Sequence, residues 1–382
     1  MKILCVQFDS STLTKDESEK AKQYFEKIYA VRPGYERLGP TWEIPQWIGE
    51  VCQNFPNAGV CFAKTTNDVF HAMRGYDALA FSALDCNWHL IRTVAALCKM
   101  PVYVGGYCDK ENLSDLENVT WFDSMRQFVE SLGRPFVSGV CYRHFRKAKT
   151  IGRLTMSTGC KHRCKFCIVP NDVHETPKHL VMGRLGAILS LDSRLIYLDD
   201  KTFGQSDNYT DLVFYNAVVK AHNPDFLGFI IQTTASQLLK LSDDFLKASG
   251  ILYVELGVES FNDSILGPLR KPASEKMIRA CVEKLRQLGI RLIANIMVGL
   301  PGETETTYAN TLGWLWDEID IVSHVNVYNL ALYESSALAD EIEHGPADLD
   351  ENCVEKSFHD NPKLHTDFLN SVYEFGLAAL NN

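Results

Sequence analysis

Met156-Ser157-Thr158-Gly159-Cys160-Lys161-His162-Arg163-Cys164-Lys165-Phe166-Cys167 is the stretch on which the reading of this chain turns. It sets three thiols in a C-x3-C-x2-C spacing directly behind a predicted strand, Arg153–Ser157. A cubane iron–sulfur cluster commonly takes a cysteine at every iron. Three ligands leave one iron free, and an open coordination position marks a catalytic metal site. Zinc is the rival: it needs a fourth ligand, for which His162 or His174 is at hand, and usually a second paired-ligand knuckle, which is not evident. The other nine of the twelve cysteines (Cys5, Cys52, Cys61, Cys86, Cys98, Cys108, Cys141, Cys281 and Cys353) are scattered. Several lie in apolar runs such as Val60-Cys61-Phe62-Ala63, where a reduced cysteine is a small hydrophobe.

Outward from the motif, 382 residues suggest two or three domains. Hydrophobic residues at 46% and charged ones at 23% are ordinary for a soluble globular chain. No apolar run approaches the ~20 residues of a bilayer span, so no membrane partner is expected. Met1–Val6 is too short for a secretory signal and reads as a first strand. The expected compartment is the cytoplasm, where a disulfide framework is not expected. A net charge of −10 argues against long nucleic acids as partners.

Strand-like runs at Lys2–Phe8, Gly59–Ala63, Ala78–Ala83 and Val102–Gly105 alternate with helical spacing at 15–29, 41–53, 67–74, 88–99 and 123–132. That alternation implies a parallel sheet covered on both faces, with ligands at the carboxyl ends of its strands. Residues 133–153 read as a connector whose basic run (Arg143, His144, Arg146, Lys147, Lys149, Arg153) is a solvated linker or faces an anionic ligand. From Leu154 a second alternation begins, with strands predicted at Arg153–Ser157, Leu195–Leu198, Leu227–Gln232, Leu252–Leu256, Leu292–Val298 and Val325–Leu330. Six such units make a partial barrel with its chemistry on the loops at the strand carboxyl ends. The expected domains are 1–132, 154–334 and a helical extension over 335–382.

The cysteine spacing, with an aromatic residue before the third thiol, resembles the cluster loop of the radical S-adenosylmethionine (SAM) superfamily. The resemblance implies a [4Fe–4S] cluster on Cys160, Cys164 and Cys167, SAM at its open iron, and reductive cleavage of SAM to methionine and a 5′-deoxyadenosyl radical. Phe166 would pack near the adenine. Tyr197-Leu198-Asp199-Asp200-Lys201-Thr202-Phe203 resembles the end of the family's second barrel strand, where Asp199 or Asp200 would receive the SAM ammonium; an N-cap pair is the plain alternative. Glu255–Ser260 resembles the fourth strand, whose Glu259 and Ser260 would reach SAM. Met297–Thr304 resembles the fifth-strand motif, with Gly299 beside the adenine, though Pro301 and Glu303 also suit a helix first turn.

Residues 1–132 are similar to the Rossmann-like cobalamin-binding domain that precedes the barrel in one radical SAM class. The similarity lies in Leu38-Gly39-Pro40 leading to Trp42 and Trp47, in Tyr76–Ser82, and in Pro101-Val102-Tyr103-Val104-Gly105-Gly106. It implies that Ser82, Gly105 and Gly106 lie along the cobalamin nucleotide tail. The D-x-H-x-x-G signature that supplies histidine to cobalt is absent, and Val119–Asp123 replaces the usual acidic Gly-Glu stretch. The expected activity is cobalamin-dependent methylation of an unactivated carbon in a small-molecule or peptide substrate, with an electron donor such as flavodoxin or ferredoxin. A cobalamin-free radical SAM reaction, methylthiolation included, and a non-catalytic metal- or cobalamin-binding protein are the alternatives.

Overall fold

The structure, a computed structural model, describes residues 1–13, 18–39, 41, 43–84, 86–333, 336–344 and 362–381. It divides into two compact units: residues 1–22, 34–153 and 178–194 form one, and residues 23–33, 154–177 and 195–382 form the other.

The first unit is built on β1 (Ile3–Phe8), β2 (Gly59–Ala63), β3 (Ala78–Ala83), β4 (Val102–Gly106) and β5 (Val119–Trp121). The strand order is β2-β1-β3-β4-β5, and every pairing is parallel. Strands buried on both faces read as nearly continuous apolar runs, as Ile-Leu-Cys-Val in β1 and Ala-Leu-Ala-Phe in β3 do. Their side chains form one core with Val69, Ile91 and Val94 from the covering helices Thr66–Ala72 and Trp88–Leu97. In a sheet of this order the ligand crevice lies outside the strand carboxyl ends, where the order reverses.

The basic run after residue 133 is not a free linker. It packs within the first unit, because its cations find carbonyls left at the end of helix Gln46–Asn54. Arg143 donates to the Cys52, Phe55 and Ala58 oxygens at 2.6, 3.1 and 3.0 Å, and His144 Nε2 lies 2.9 Å from the Ala58 oxygen. The Cys141 amide adds a bond to the Gly49 oxygen at 2.9 Å.

The second sheet takes β6 (Gly152–Leu154), β9 (Leu195–Leu198), β10 (Gly228–Thr233), β11 (Ile251–Glu259), β12 (Arg291–Val298) and β13 (Val322–Asn329) in sequence order. β9 to β13 run parallel, the strand order of a partial barrel. A short ladder of β7 (Ser157–Thr158) with β8 (His174–Glu175) is the exception, and it is antiparallel. Edge strand β13 is covered by residues 23–33, which the sequence assigns to the first domain: the Tyr24 hydroxyl accepts from the Val325 amide at 2.7 Å and donates to the Val325 oxygen at 2.9 Å. The expected C-terminal extension is helical at Ala337–His344 and Pro362–Ala379; residues 345–361 lie outside the described residues. Among the described residues no helix is long and apolar enough to cross a membrane.

Candidate functional site

The β7–β8 ladder closes the base of a loop that carries all three cysteines of the motif. Gly159 opens it with φ +81°, and a Cβ there would meet the Asp172 oxygen at 1.9 Å, so glycine is obligatory. The Cys160 amide bonds the Pro170 oxygen at 2.9 Å, and the Cys167 amide bonds the Cys164 oxygen at 3.0 Å. Burial pushes the Cys164 thiol up to about 11, with Lys271 pulling the other way and Cys167, Glu259 and Cys160 adding to the rise. The three thiols and the Glu259–Lys271 pair therefore share one electrostatic neighbourhood. Polar groups face two of the sulfurs: Thr202 Oγ1 lies 3.2 Å from Cys160 Sγ, and the Val169 amide donates to Cys167 Sγ at 3.5 Å.

The acidic pair after β9 divides in role. Asp200 is buried, and its oxygens accept from the Met156 amide at 2.8 Å and Ser157 Oγ at 2.5 Å, anchoring the start of the cysteine loop. Its carboxyl is raised, chiefly by burial, against those hydrogen bonds. Holding the loop is thus the task the structure shows for Asp200, rather than capture of an ammonium. Asp199 is only partly buried, and its amide bonds the Leu154 oxygen at 2.9 Å.

Glu259 ends β11 in a left-handed conformation, φ +61°, at an irregularity in the pairing with β12. Its carboxylate meets Lys271 Nζ at 2.5 Å, with both side chains almost fully enclosed. Burial alone would lower the Lys271 ammonium, but Glu259 and the Cys164 and Cys167 thiols outweigh it, and the net shift is upward. Gly257 makes room for the pair: a Cβ there would sit 2.6 Å from Lys271 Nζ and 2.8 Å from Glu259 Oε1. Lys271 Nζ also lies 5.8 Å from the Phe166 ring centroid. Phe166 packs with Met297 and Leu300 of the fifth-strand motif, in a cluster built on Ile265, Leu269 and Leu330. Ser260 is different: it is wholly buried, its hydroxyl accepts from Asn262 at 3.0 Å and bonds Glu303, so it joins two loops. Gly299 turns with φ +84° and donates its amide to the Tyr308 hydroxyl at 2.9 Å.

Sequence reasoning missed Lys271, and it missed a polar layer on the second sheet. Tyr197 of β9 and Asn295 of β12 both donate to the Glu255 carboxylate of β11, each at 2.8 Å. Asn326 of β13 donates to Asn295 at 3.1 Å, and Tyr197 also reaches Gln232 of β10 at 3.3 Å. Each of five consecutive strands supplies one polar side chain. The signal was present, since strands of a covered parallel sheet should be nearly all apolar and Gln232, Glu255, Asn295 and Asn326 interrupt them.

In the first unit, Ser82, Gly105 and Gly106 line one cavity of about 300 Å³ at the carboxyl ends of β3 and β4. Trp47, Tyr103, Phe122 and Phe128 give it an aromatic wall. Gly106 is required by its own turn, with φ +135° and an added Cβ only 2.1 Å from the Ala83 oxygen. Gly105 is not: within 4 Å its Cβ would meet only the Phe122 oxygen, at 3.2 Å.

The family model of the radical SAM superfamily matches residues 154–315. Residues 154–315 are a radical SAM domain. Ribosomal protein uS12 methylthiotransferase RimO of Zymomonas mobilis subsp. mobilis is 27% identical over 206 residues, 48% of this chain and 45% of that protein. RimO of Afipia carboxidovorans is 26% identical over 190 residues, 44% of this chain and 42% of that protein. The match thus spans just under half the length of these curated relatives. Among solved structures, the radical SAM methyltransferase TsrM of Kitasatospora setae, with tryptophan substrate and aza-SAM bound, aligns with TM-score 0.59 at 13% identity over 89% of this chain and 75% of its own. OxsB, a cobalamin-dependent SAM radical enzyme with aqua-cobalamin and SAM bound, aligns with TM-score 0.58 at 13% identity over 93% of this chain and 56% of its own. At such identities the likeness is one of fold, and it runs through both units.

The radical SAM domain implies a [4Fe–4S] cluster and SAM, and the cysteine loop fits that cluster. Among the described residues no three His, Cys, Asp or Glu side chains gather closely enough for a single metal ion. A zinc draws all its ligands to about 2.0–2.3 Å from one centre, whereas a cubane spreads three thiolates over three irons. Of the two histidines at hand for zinc, His162 Nε2 lies 3.3 Å from Thr234 Oγ1 and His174 is exposed on β8.

Proposed function

We propose that this chain is a cobalamin-dependent radical SAM enzyme that methylates an unactivated carbon. The observation that carries the reading is the aromatic-walled cavity that gathers Ser82, Gly105 and Gly106 in a unit preceding a radical SAM domain. The planar, apolar base of the cobalamin tail suits such a wall. Gly105 is the fitting test: its glycine is not demanded by φ, and a side chain there would grow toward the cavity. Trp47, Tyr103, Phe122 and Phe128 would hold the base in this cavity.

The cluster, when bound, supplies the electron that cleaves SAM. The protein's part is to bind, orient and exclude. Lys271 and Glu259 form a buried cation–anion pair beside the cluster thiols, complementary to the carboxylate and ammonium of a methionyl group. Asp199 is the remaining acid of its pair for that ammonium. Phe166 and Met297 would give an apolar surface for the adenine. The substrate is a small molecule or peptide, and the electron comes from a flavodoxin- or ferredoxin-type donor. The proposed compartment is the cytoplasm, which keeps cysteines reduced.

The test is to supply hydroxocobalamin during expression and record the spectrum of the desalted protein. Wild type should hold one corrinoid per chain, and Gly105→Val should lose it while keeping its iron. Gly106 variants test only the turn. A wild type that stays corrinoid-free contradicts the reading.

Methylthiolation is the second reading, favoured by the identity to RimO. A second cluster would need three more thiolates, and Cys5 and Cys52 are buried among core side chains. Iron analysis separates the two: about four irons per chain on the first reading, about eight on the second.

A further inference from the structure

We propose that Thr202 is a positioning residue for the cluster: its hydroxyl donates a hydrogen bond to the Cys160 thiolate and thereby raises the reduction potential of the iron–sulfur centre. The inference rests on the reading of Cys160, Cys164 and Cys167 as cluster ligands.

Thr202 is buried, and its Oγ1 lies 3.2 Å from Cys160 Sγ and 2.8 Å from the Lys201 oxygen. A hydroxyl has one proton to give and two lone pairs to receive. While Cys160 is a thiol, its S–H can point at Oγ1 and the threonine proton rests on the Lys201 oxygen. Once Cys160 is a thiolate, the sulfur carries charge, and a charge-assisted hydrogen bond is roughly twice as strong as a neutral one. The threonine O–H then points at the sulfur. An added electron increases the charge on the cluster sulfurs, so the bond is worth more in the reduced state, which is how hydrogen bonds to sulfur move such potentials.

The distance is built into the fold. On one side, Asp200 is fastened to the Met156 amide and Ser157 Oγ, at the foot of the loop that carries Cys160. On the other, the Phe203 amide bonds the Gln232 oxygen at 2.8 Å and its ring is fully buried, stacked on Phe245 with centroids 6.3 Å apart. Thr202 is therefore clamped from both neighbours, which fixes the backbone that carries its hydroxyl. The Val169 amide that faces Cys167 Sγ belongs to the backbone, whereas the donor to Cys160 is a side chain and can be removed alone.

The experiment is an anaerobic redox titration, followed by electron paramagnetic resonance, of the reconstituted full chain as wild type, Thr202→Val and Thr202→Ser. At the wild-type midpoint the ratio of reduced to oxidised cluster in Thr202→Val should fall about tenfold, equivalent to 59 mV for one electron, at unchanged iron content. Thr202→Ser should return to the wild-type midpoint. A second reading compares the same two proteins: wild type assembled in deuterated water and reduced should show, by electron–nuclear double resonance, a strongly coupled exchangeable deuteron that is missing from Thr202→Val. Absence of that coupling overturns the proposal, as does a fully iron-loaded Thr202→Val with the wild-type midpoint. A wild type that takes up no iron overturns the cluster assignment itself, a result distinct from an unmoved midpoint.

Discussion

Glu259 and Arg270, at φ +61° and +53°, are two of the five non-glycine residues in the described structure with left-handed backbones. They sit at and beside the two ends of one buried ion pair. A left-handed non-glycine residue costs on the order of 1–3 kcal/mol and persists where the surroundings enforce it. That cost falls on a pair for which Gly257 leaves room, which is the reason to test it for function. Removing one partner of a buried pair leaves the other charge uncompensated, a loss of about 3–5 kcal/mol. Lys271→Met should destabilise by that order in urea unfolding and abolish SAM binding in calorimetry. Lys271→Met combined with Glu259→Gln should regain much of the stability and none of the SAM affinity. Glu259 was legible in the sequence as a SAM-binding candidate, but its partner was not. Lys271 lies twelve residues beyond Glu259 in a loop with no periodicity, and only the fold returns it to the strand end.

His324 provides a second test at the same scale. It is wholly enclosed beside Tyr253, and burial first, then Arg32, push its imidazole down to about 3. The unfolded chain protonates histidine near 6.5. Between those values the unfolded state binds the extra proton, so stability is lost as pH falls below about 6.5. Urea midpoints measured from pH 7 to 5 should fall with a slope near one proton more in wild type than in His324→Gln.

Elements were legible to the degree that their periodicity was local. β2, β3 and β9 keep their expected bounds, Gly59–Ala63, Ala78–Ala83 and Leu195–Leu198. The first barrel strand does not: β6 and β7 are separate, because the Met156 amide leaves the ladder for the Asp200 carboxylate. β5 was unforeseen, being three residues on a sheet edge. Asp200→Ala should therefore loosen the loop and lower iron uptake, measured per chain after reconstitution, and SAM affinity per loaded cluster should stay near wild type. The helix Glu19–Val31 was expected in kind, but its role is non-local, because only the folded chain brings Tyr24 to edge strand β13. Tyr24→Phe should leave the Val325 amide and carbonyl unpaired and cost about 1–3 kcal/mol in thermal or urea unfolding.

At the scale of the whole molecule, the order of sheets and the three cysteines could be read directly, since apolar alternation and thiol spacing are properties of the chain alone. The makeup of the units could not. Residues 23–33, expected in the first domain, join the second unit, and residues 133–153, expected as a connector, join the first, with hydrogen bonds of Tyr24 and Arg143 to distant backbone. The central claim is that this assembly cleaves SAM. The measurement is 5′-deoxyadenosine and methionine released when the anaerobic, iron-loaded protein is reduced in the presence of SAM. The account predicts both products in equal amounts, and none from the variant with Cys160, Cys164 and Cys167 all changed to Ala. A fully iron-loaded, reduced wild type that releases no 5′-deoxyadenosine would contradict it.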